Sequence, residues 1–283
     1  MQFLILLFAA FLASCGKAPQ EKIERPKAFV SVAPYKYFAD KIAAGHIDVQ
    51  TIVPTGVSSH SYEPTPRETA LLEKGEIWFQ IGDSFEKKIS PVLLEHKKDL
   101  ELVDMRQGIS LIESECQGQC HHDHDRADNH IWLSPKLAKV QSKKIADVFA
   151  KKYPKYADEF YQNLSLLEKE LDLLDAEIHE TLASSANRVM LVSHPAFAYF
   201  CKDFDFKQLS VEVDGKDPLP QQMEELIQKT SESEVSIVLL IPQYNNKGAK
   251  LLSQHLNVPS ATVDPYAENY SENLRHIAQV LAQ

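Results

Sequence analysis

Residues Tyr156 to Leu182, YADEFYQNLSLLEKELDLLDAEIHETL, decide how this chain is organised. Apolar side chains recur at Phe160, Leu164, Leu167, Leu171, Leu174, Ile178 and Leu182, in steps of 4, 3, 4, 3, 4 and 4. Glu, Lys and Asp fill the other faces, so the spacing predicts one amphipathic helix with a single buried stripe. At 1.5 Å per residue it would run about 40 Å, longer than a helix inside one small domain. Such a helix in mid-chain reads as a strut between two lobes.

Outward from the strut, short β-rich runs alternate with helical segments on both sides. Towards the N-terminus the strands are Ala28–Val32, Val49–Val53, Ile77–Ile81 and Leu100–Val103, separated by helices Tyr35–Ala44, Pro66–Lys74 and Ser84–His96. A further helix starts near Pro135, a proline suited to a first helical turn. Beyond the strut come strands Val189–Val192, Gln208–Val213, Val235–Ile241 and Ala261–Val263. Helices Ala196–Lys202, Pro220–Lys229 and Lys247–Leu256 lie between them, and a last helix begins at Glu272. Apolar runs separated by helices imply βαβ units and parallel sheets. The expected fold is therefore α/β: two parallel-sheet lobes, residues 28–153 and 185–283, joined by one rigid helix over residues 154–184. A polar loop, about residues 107–129, interrupts the first lobe.

The chain has 283 residues, 30 Lys and Arg against 40 Asp and Glu, and a formal net charge of −10. No basic stripe stands out, which argues against a nucleic-acid partner. Phe3 to Leu12 is an uninterrupted apolar run, too short for the roughly 20 residues that span a bilayer. It ends in Leu12-Ala13-Ser14-Cys15, which resembles the processing site of bacterial lipoproteins, although no Lys or Arg precedes the apolar run. On that reading residues 1–14 are a signal peptide, Cys15 becomes the acylated N-terminus, and residues 15–27 are a linker. Acyl chains contribute about 0.8 kcal/mol per buried CH₂, enough for several chains to hold a soluble body on a membrane. Of the remaining cysteines, Cys116 and Cys120 are close enough in sequence to pair, and Cys201 reads as a small buried hydrophobe.

Chemistry enters at the strand ends. His60, His130, His194 and Asp264 each lie beyond the carboxyl end of a predicted strand, two in each lobe. In parallel α/β sheets that edge is where ligands bind, so the four could converge between the lobes. Three imidazoles and a carboxylate suit a tetrahedral Zn²⁺, with metal–ligand distances of about 2.0–2.2 Å. Mn²⁺ favours oxygen-rich shells. A closed four-ligand shell leaves no position for an activated water, which favours binding over catalysis. Each histidine taken singly reads more readily as a surface or core residue than as a ligand; their common edge is the signal.

Four motifs carry a family resemblance: Ser59-His60-Ser61-Tyr62-Glu63-Pro64-Thr65-Pro66, Asp128-Asn129-His130-Ile131-Trp132-Leu133-Ser134-Pro135, His194-Pro195-Ala196-Phe197-Ala198-Tyr199-Phe200 and Val263-Asp264-Pro265. From Lys27 onwards the chain resembles the metal-ion solute-binding proteins of ABC importers, of the zinc-uptake type. The resemblance implies two lobes on a rigid helix, with metal held in the interlobe cleft by His60, His130, His194 and Asp264. Manganese-type relatives tend to carry Glu at the third position, where this chain has His194. Asn129 stands where the family often has Pro, and Tyr266-Ala267 follow Asp264-Pro265 where Leu-Gly is common. Glu63 is a lesser acidic candidate. The segment holding His121, His122 and His124 resembles the His-rich loop of zinc-type members, and implies either an auxiliary metal site or a merely solvated loop.

The implied protein is not an enzyme. It is a lipid-anchored, monomeric receptor in the periplasm or on the outer face of the cytoplasmic membrane, and it hands Zn²⁺ to an ABC permease. Alternatives are a manganese- or iron-binding member of the same family, a zinc-dependent hydrolase, or an adhesin.

Overall fold

A computed structural model describes residues 25–113, 127–212, 216 and 218–283. The apolar N-terminal run, Cys15, most of the linker, Cys116, Cys120, His121, His122 and His124 lie outside the described residues. Among the described residues no helix is long and apolar enough to cross a membrane.

The first lobe runs β1 (Lys27–Val30), α1 (Ala33–Ala43), β2 (Asp48–Thr51), α2 (Pro66–Leu72), β3 (Ile77–Gln80), α3 (Ser84–His96), β4 (Glu101–Asp104) and α4 (Pro135–Lys152). After α5 (Ala157–Leu182) the second continues as β5 (Val189–Val192), α6 (Ala198–Phe204), β6 (Lys207–Ser210), α7 (Pro220–Ser231), β7 (Val235–Leu240), α8 (Lys247–Leu256), β8 (Ser260–Thr262) and α9 (Tyr270–Leu281). Each lobe holds one four-stranded parallel sheet, ordered β2-β1-β3-β4 and β6-β5-β7-β8. The architecture therefore repeats, and in each lobe the strand order reverses beside the first strand. That reversal opens the crevice that parallel sheets use for ligands.

The strut forms as its periodicity predicts. α5 has 26 residues, and all seven stripe positions are buried. It packs against α1 and α4 of the first lobe and against α6 and α9 of the second. Its stripe joins the inner faces of both sheets in one continuous apolar core, from Ala28 and Phe79 through Leu171 to Leu239 and Leu281. Smaller cores lie on the outer faces, around Trp78 and Phe85 in one lobe and around Leu191 and Val238 in the other. A core that runs uninterrupted through both lobes binds them as one body, because separating them would return that apolar surface to water.

Polar contacts reinforce the joint. Glu170 on α5 accepts from Tyr37 and Lys41 of the first lobe and from Ser271 of the second. Trp132 Nε1 donates to the Pro265 carbonyl at 2.8 Å, and the Tyr270 hydroxyl to the Trp132 carbonyl at 2.8 Å. Tyr199 donates to the Asp128 carbonyl at 2.7 Å and accepts from the Ile112 N–H at 2.9 Å.

Candidate metal centre

The loops beyond the sheet edges bring three histidines together. His60 lies between β2 and α2, His130 just before α4, and His194 two residues after β5. Their ring centroids are 5.2, 5.2 and 5.4 Å apart, and one ligand nitrogen from each lies within 4.8 Å of the other two. His130 and His194 are buried, while 37 % of the His60 side chain is exposed. The cluster opens on a cavity of about 1210 Å³ whose walls include Ser58, Asp128, Glu212 and Tyr244.

Each imidazole is backed by a carboxylate on its Nδ1. His60 Nδ1 faces Asp83 Oδ1 at 3.3 Å, His130 Nδ1 faces Asp128 Oδ1 at 2.8 Å, and His194 Nδ1 faces Glu212 Oε2 at 2.7 Å. An ionised carboxylate only accepts, so each Nδ1 carries the proton and each Nε2 keeps its lone pair for an incoming group. These outer acids fix the ring orientations and increase the basicity of the inward nitrogens, as at established metal sites. His194 Nε2 is buried and has no hydrogen-bond partner. A desolvated lone pair of that kind is costly unless something electron-poor meets it. The donor set fits a divalent transition metal. Tetrahedral coordination at about 2.0–2.1 Å needs nitrogens about 3.4 Å apart, so the rings need to close by about 1.4 Å at most.

Charge is arranged to suit. Burial, followed by the neighbouring imidazoles of His130 and His60, pushes the pKa of His194 well below the usual value and keeps it neutral. Burial opposes charge on His60, but the hydrogen bond and charge of Asp83 outweigh it and raise the pKa of His60. At Asp83 burial is likewise overridden, by His60 and by the more distant His130, so its carboxyl stays well below the ordinary range.

Asp264, the expected fourth ligand, does not join the cluster of ligand atoms. Its Oδ1 accepts from Gln243 Nε2 and from the Tyr266 N–H, each at 2.8 Å. The oxygen beside His130 Nε2 is instead the Tyr266 hydroxyl, at 3.2 Å. Tyr244 stacks on His194, with ring centroids 3.8 Å apart and planes inclined by 7°. Glu63 lies at the surface, paired with Lys88 at 2.8 Å. Cys201 is a buried free thiol, as its apolar surroundings in sequence suggest.

Sequence reasoning missed the backing acids Asp83 and Glu212, although the strand-end rule that found the histidines extends to them. Val192 pairs in register with Ser210, so the residues two beyond each strand, His194 and Glu212, emerge side by side. Asp83 follows β3 as the N-cap of α3, where its own N–H donates to Glu86 Oε2 at 3.1 Å.

Comparison with known proteins agrees with this geometry. The family model for zinc-uptake complex component A, periplasmic, matches residues 29–283. A putative metal-binding protein of Chlamydia muridarum is 32% identical over 286 residues, covering 100% of this chain and 99% of the relative. The manganese ABC transporter substrate-binding lipoprotein PsaA of Streptococcus pneumoniae is 23% identical, over 91% of this chain and 85% of its own length. Among solved structures, ZnuA superposes with a TM-score of 0.84 at 31% identity, covering 92% of this chain and 98% of that one. The chain belongs to the zinc-uptake complex component A family, the ZnuA-type metal-binding solute receptors of ABC importers.

Proposed function

We propose that the protein captures Zn²⁺ outside the cytoplasm and delivers it to the permease of an ABC importer. The observation that carries this reading is the set of three inward Nε2 lone pairs, each held by a carboxylate on the opposite ring nitrogen. Three neutral imidazoles form a nitrogen-rich shell, which suits zinc better than manganese. His60, His130 and His194 are the protein ligands. The fourth position falls to a water or to Asp264, which reaches it by giving up Gln243. Loss of affinity in Asp264→Ala as large as in a histidine variant would identify it as a ligand.

Entry proceeds through the exposed side of His60, and the ion sheds its water on reaching the two buried rings. Cys15 supplies the lipid anchor, which keeps a monomeric receptor beside its permease. The reading is tested by metal analysis of the mature domain beside a His60→Ala, His130→Ala, His194→Ala triple variant. Zinc is expected at one per chain and is absent from the variant. Competition calorimetry settles the metal, since tighter binding of Mn²⁺ than of Zn²⁺ would overturn the choice of zinc.

A further inference from the structure

Tyr266 occupies a place the sequence marked as unusual, directly after Asp264-Pro265. Its backbone is anchored on both sides. Its own N–H donates to Asp264 Oδ1, and the preceding Pro265 carbonyl accepts from Trp132 Nε1. The ring lies 5.7 Å from that of Trp132 and the residue is 7 % exposed, so the position of its hydroxyl is set by packing.

The direction of the hydrogen bonds around that hydroxyl can be worked out. Asp128 Oδ1 accepts from both the N–H and the Nδ1–H of His130, so His130 Nε2 is a lone pair and the Tyr266 O–H donates to it at 3.2 Å. Ser58 Oγ donates to the Tyr244 hydroxyl at 3.0 Å, and Tyr244 passes its own proton to the Tyr266 oxygen at 3.2 Å. Ser59 Oγ donates to the same oxygen at 3.4 Å. The Tyr266 oxygen therefore donates once and accepts from Tyr244, while the single Ser59 proton is shared between it and Asp83. The phenol satisfies the nitrogen that a metal would take.

Resting on the zinc-capture reading, we propose that Tyr266 is a built-in competitor for the cargo at His130. Metal binding exchanges the phenol's hydrogen bond for a coordinate bond at Nε2, and return of the phenol assists release. A transport receptor must give up what it holds, and a competitor carried within the site lowers affinity without altering a ligand. Tyr266 is thus a positioning residue acting through His130.

The test compares Tyr266→Phe with wild type, using zinc as the probe. The variant keeps the ring against Trp132 and deletes only the hydroxyl. Zinc affinity should rise about two- to tenfold, the worth of one such hydrogen bond, with slower dissociation into excess chelator. The melting temperature of the zinc-free form should fall while that of the zinc-loaded form holds. Unchanged or weaker zinc binding would overturn the proposal, as would an equal fall in both melting temperatures. Should Tyr266→Phe fail to fold, Tyr244→Phe carries the same test, because it removes only the donor that polarises Tyr266. There, slower zinc dissociation than wild type supports the proposal, and equal or faster dissociation overturns it. Failure of wild type itself to bind zinc would instead sink the zinc-capture reading.

Discussion

Asp128→Asn isolates what a backing acid contributes, because it changes charge and almost nothing else. Asp128 Oδ1 lies 2.8 Å from His130 Nδ1 and 2.8 Å from the His130 N–H. Asparagine keeps an oxygen that can accept both, so the ring's orientation and tautomer persist. An ion on Nε2 would lie about 6 Å from that oxygen, adding a metal–nitrogen bond of about 2 Å, the ring and the hydrogen bond. A 2+ charge and a carboxylate at that distance attract by about 1.4 kcal/mol in bulk water and by about 5.5 kcal/mol at an effective dielectric of 20. Loss of outer partners at metal sites costs about 10–100-fold in affinity, or about 1.4–2.7 kcal/mol, which lies between these bounds. Zinc affinity, measured by competition with a chromophoric chelator, should therefore fall by that factor while the zinc-free melting curve barely moves. An affinity within twofold of wild type would refute the view that these carboxylates tune the nitrogens.

Saturating zinc, at about 1,000 times Kd, should stabilise the fold by about 4 kcal/mol, and an unshifted melting curve would refute specific binding. Zinc affinity should fall with pH. Asp83 holds the pKa of His60 above its usual value, so protons compete for that ring from a higher pH than for a free imidazole. Asp83→Asn should bind zinc more weakly at every pH, but the decline from its own high-pH affinity should begin at a lower pH than in wild type, and an onset that moves up or stays put counts against this sign. Leu171→Ala, at a fully buried point of the strut, should cost about 3 kcal/mol in urea unfolding, with both lobes still melting in one transition. Two separated transitions would contradict a shared core. Ala44 caps α1 in the left-handed region, at φ 47°, where a side chain is strained. Ala44→Gly should accordingly raise stability by about 1 kcal/mol, and a lower urea midpoint would refute the attribution.

The strut was legible because a seven-position stripe leaves a helix only one face to bury. Strands were legible as apolar runs too short for helices, and their ends drifted where neighbours outvote local pattern. β4 runs to Asp104 because an edge strand tolerates polar residues on its open side. α9 begins at Tyr270 rather than Glu272 because the Tyr270 hydroxyl is tied to Trp132 across the lobes, a contact with no local signature. At the site, His60, His130 and His194 followed from the strand-end rule alone. The partners of Asp264 did not, since Gln243 reaches it from the loop after β7, a neighbour that only the strand order reveals. Glu212 was hidden for a similar reason, needing the register of β5 on β6.

The shared core carries a cost for signalling. A receptor whose halves share one apolar core has little freedom to swing them apart, and so little change of outline with which to tell a transporter that it is full. Whatever the membrane partner reads must be small and close to the mouth of the cleft: the seating of a few rings and the stiffness of the loops that hold them. Discrimination between loaded and empty copies then rests on local rigidity, so substitutions that merely loosen those loops should impair uptake even where the ion is held as tightly as before.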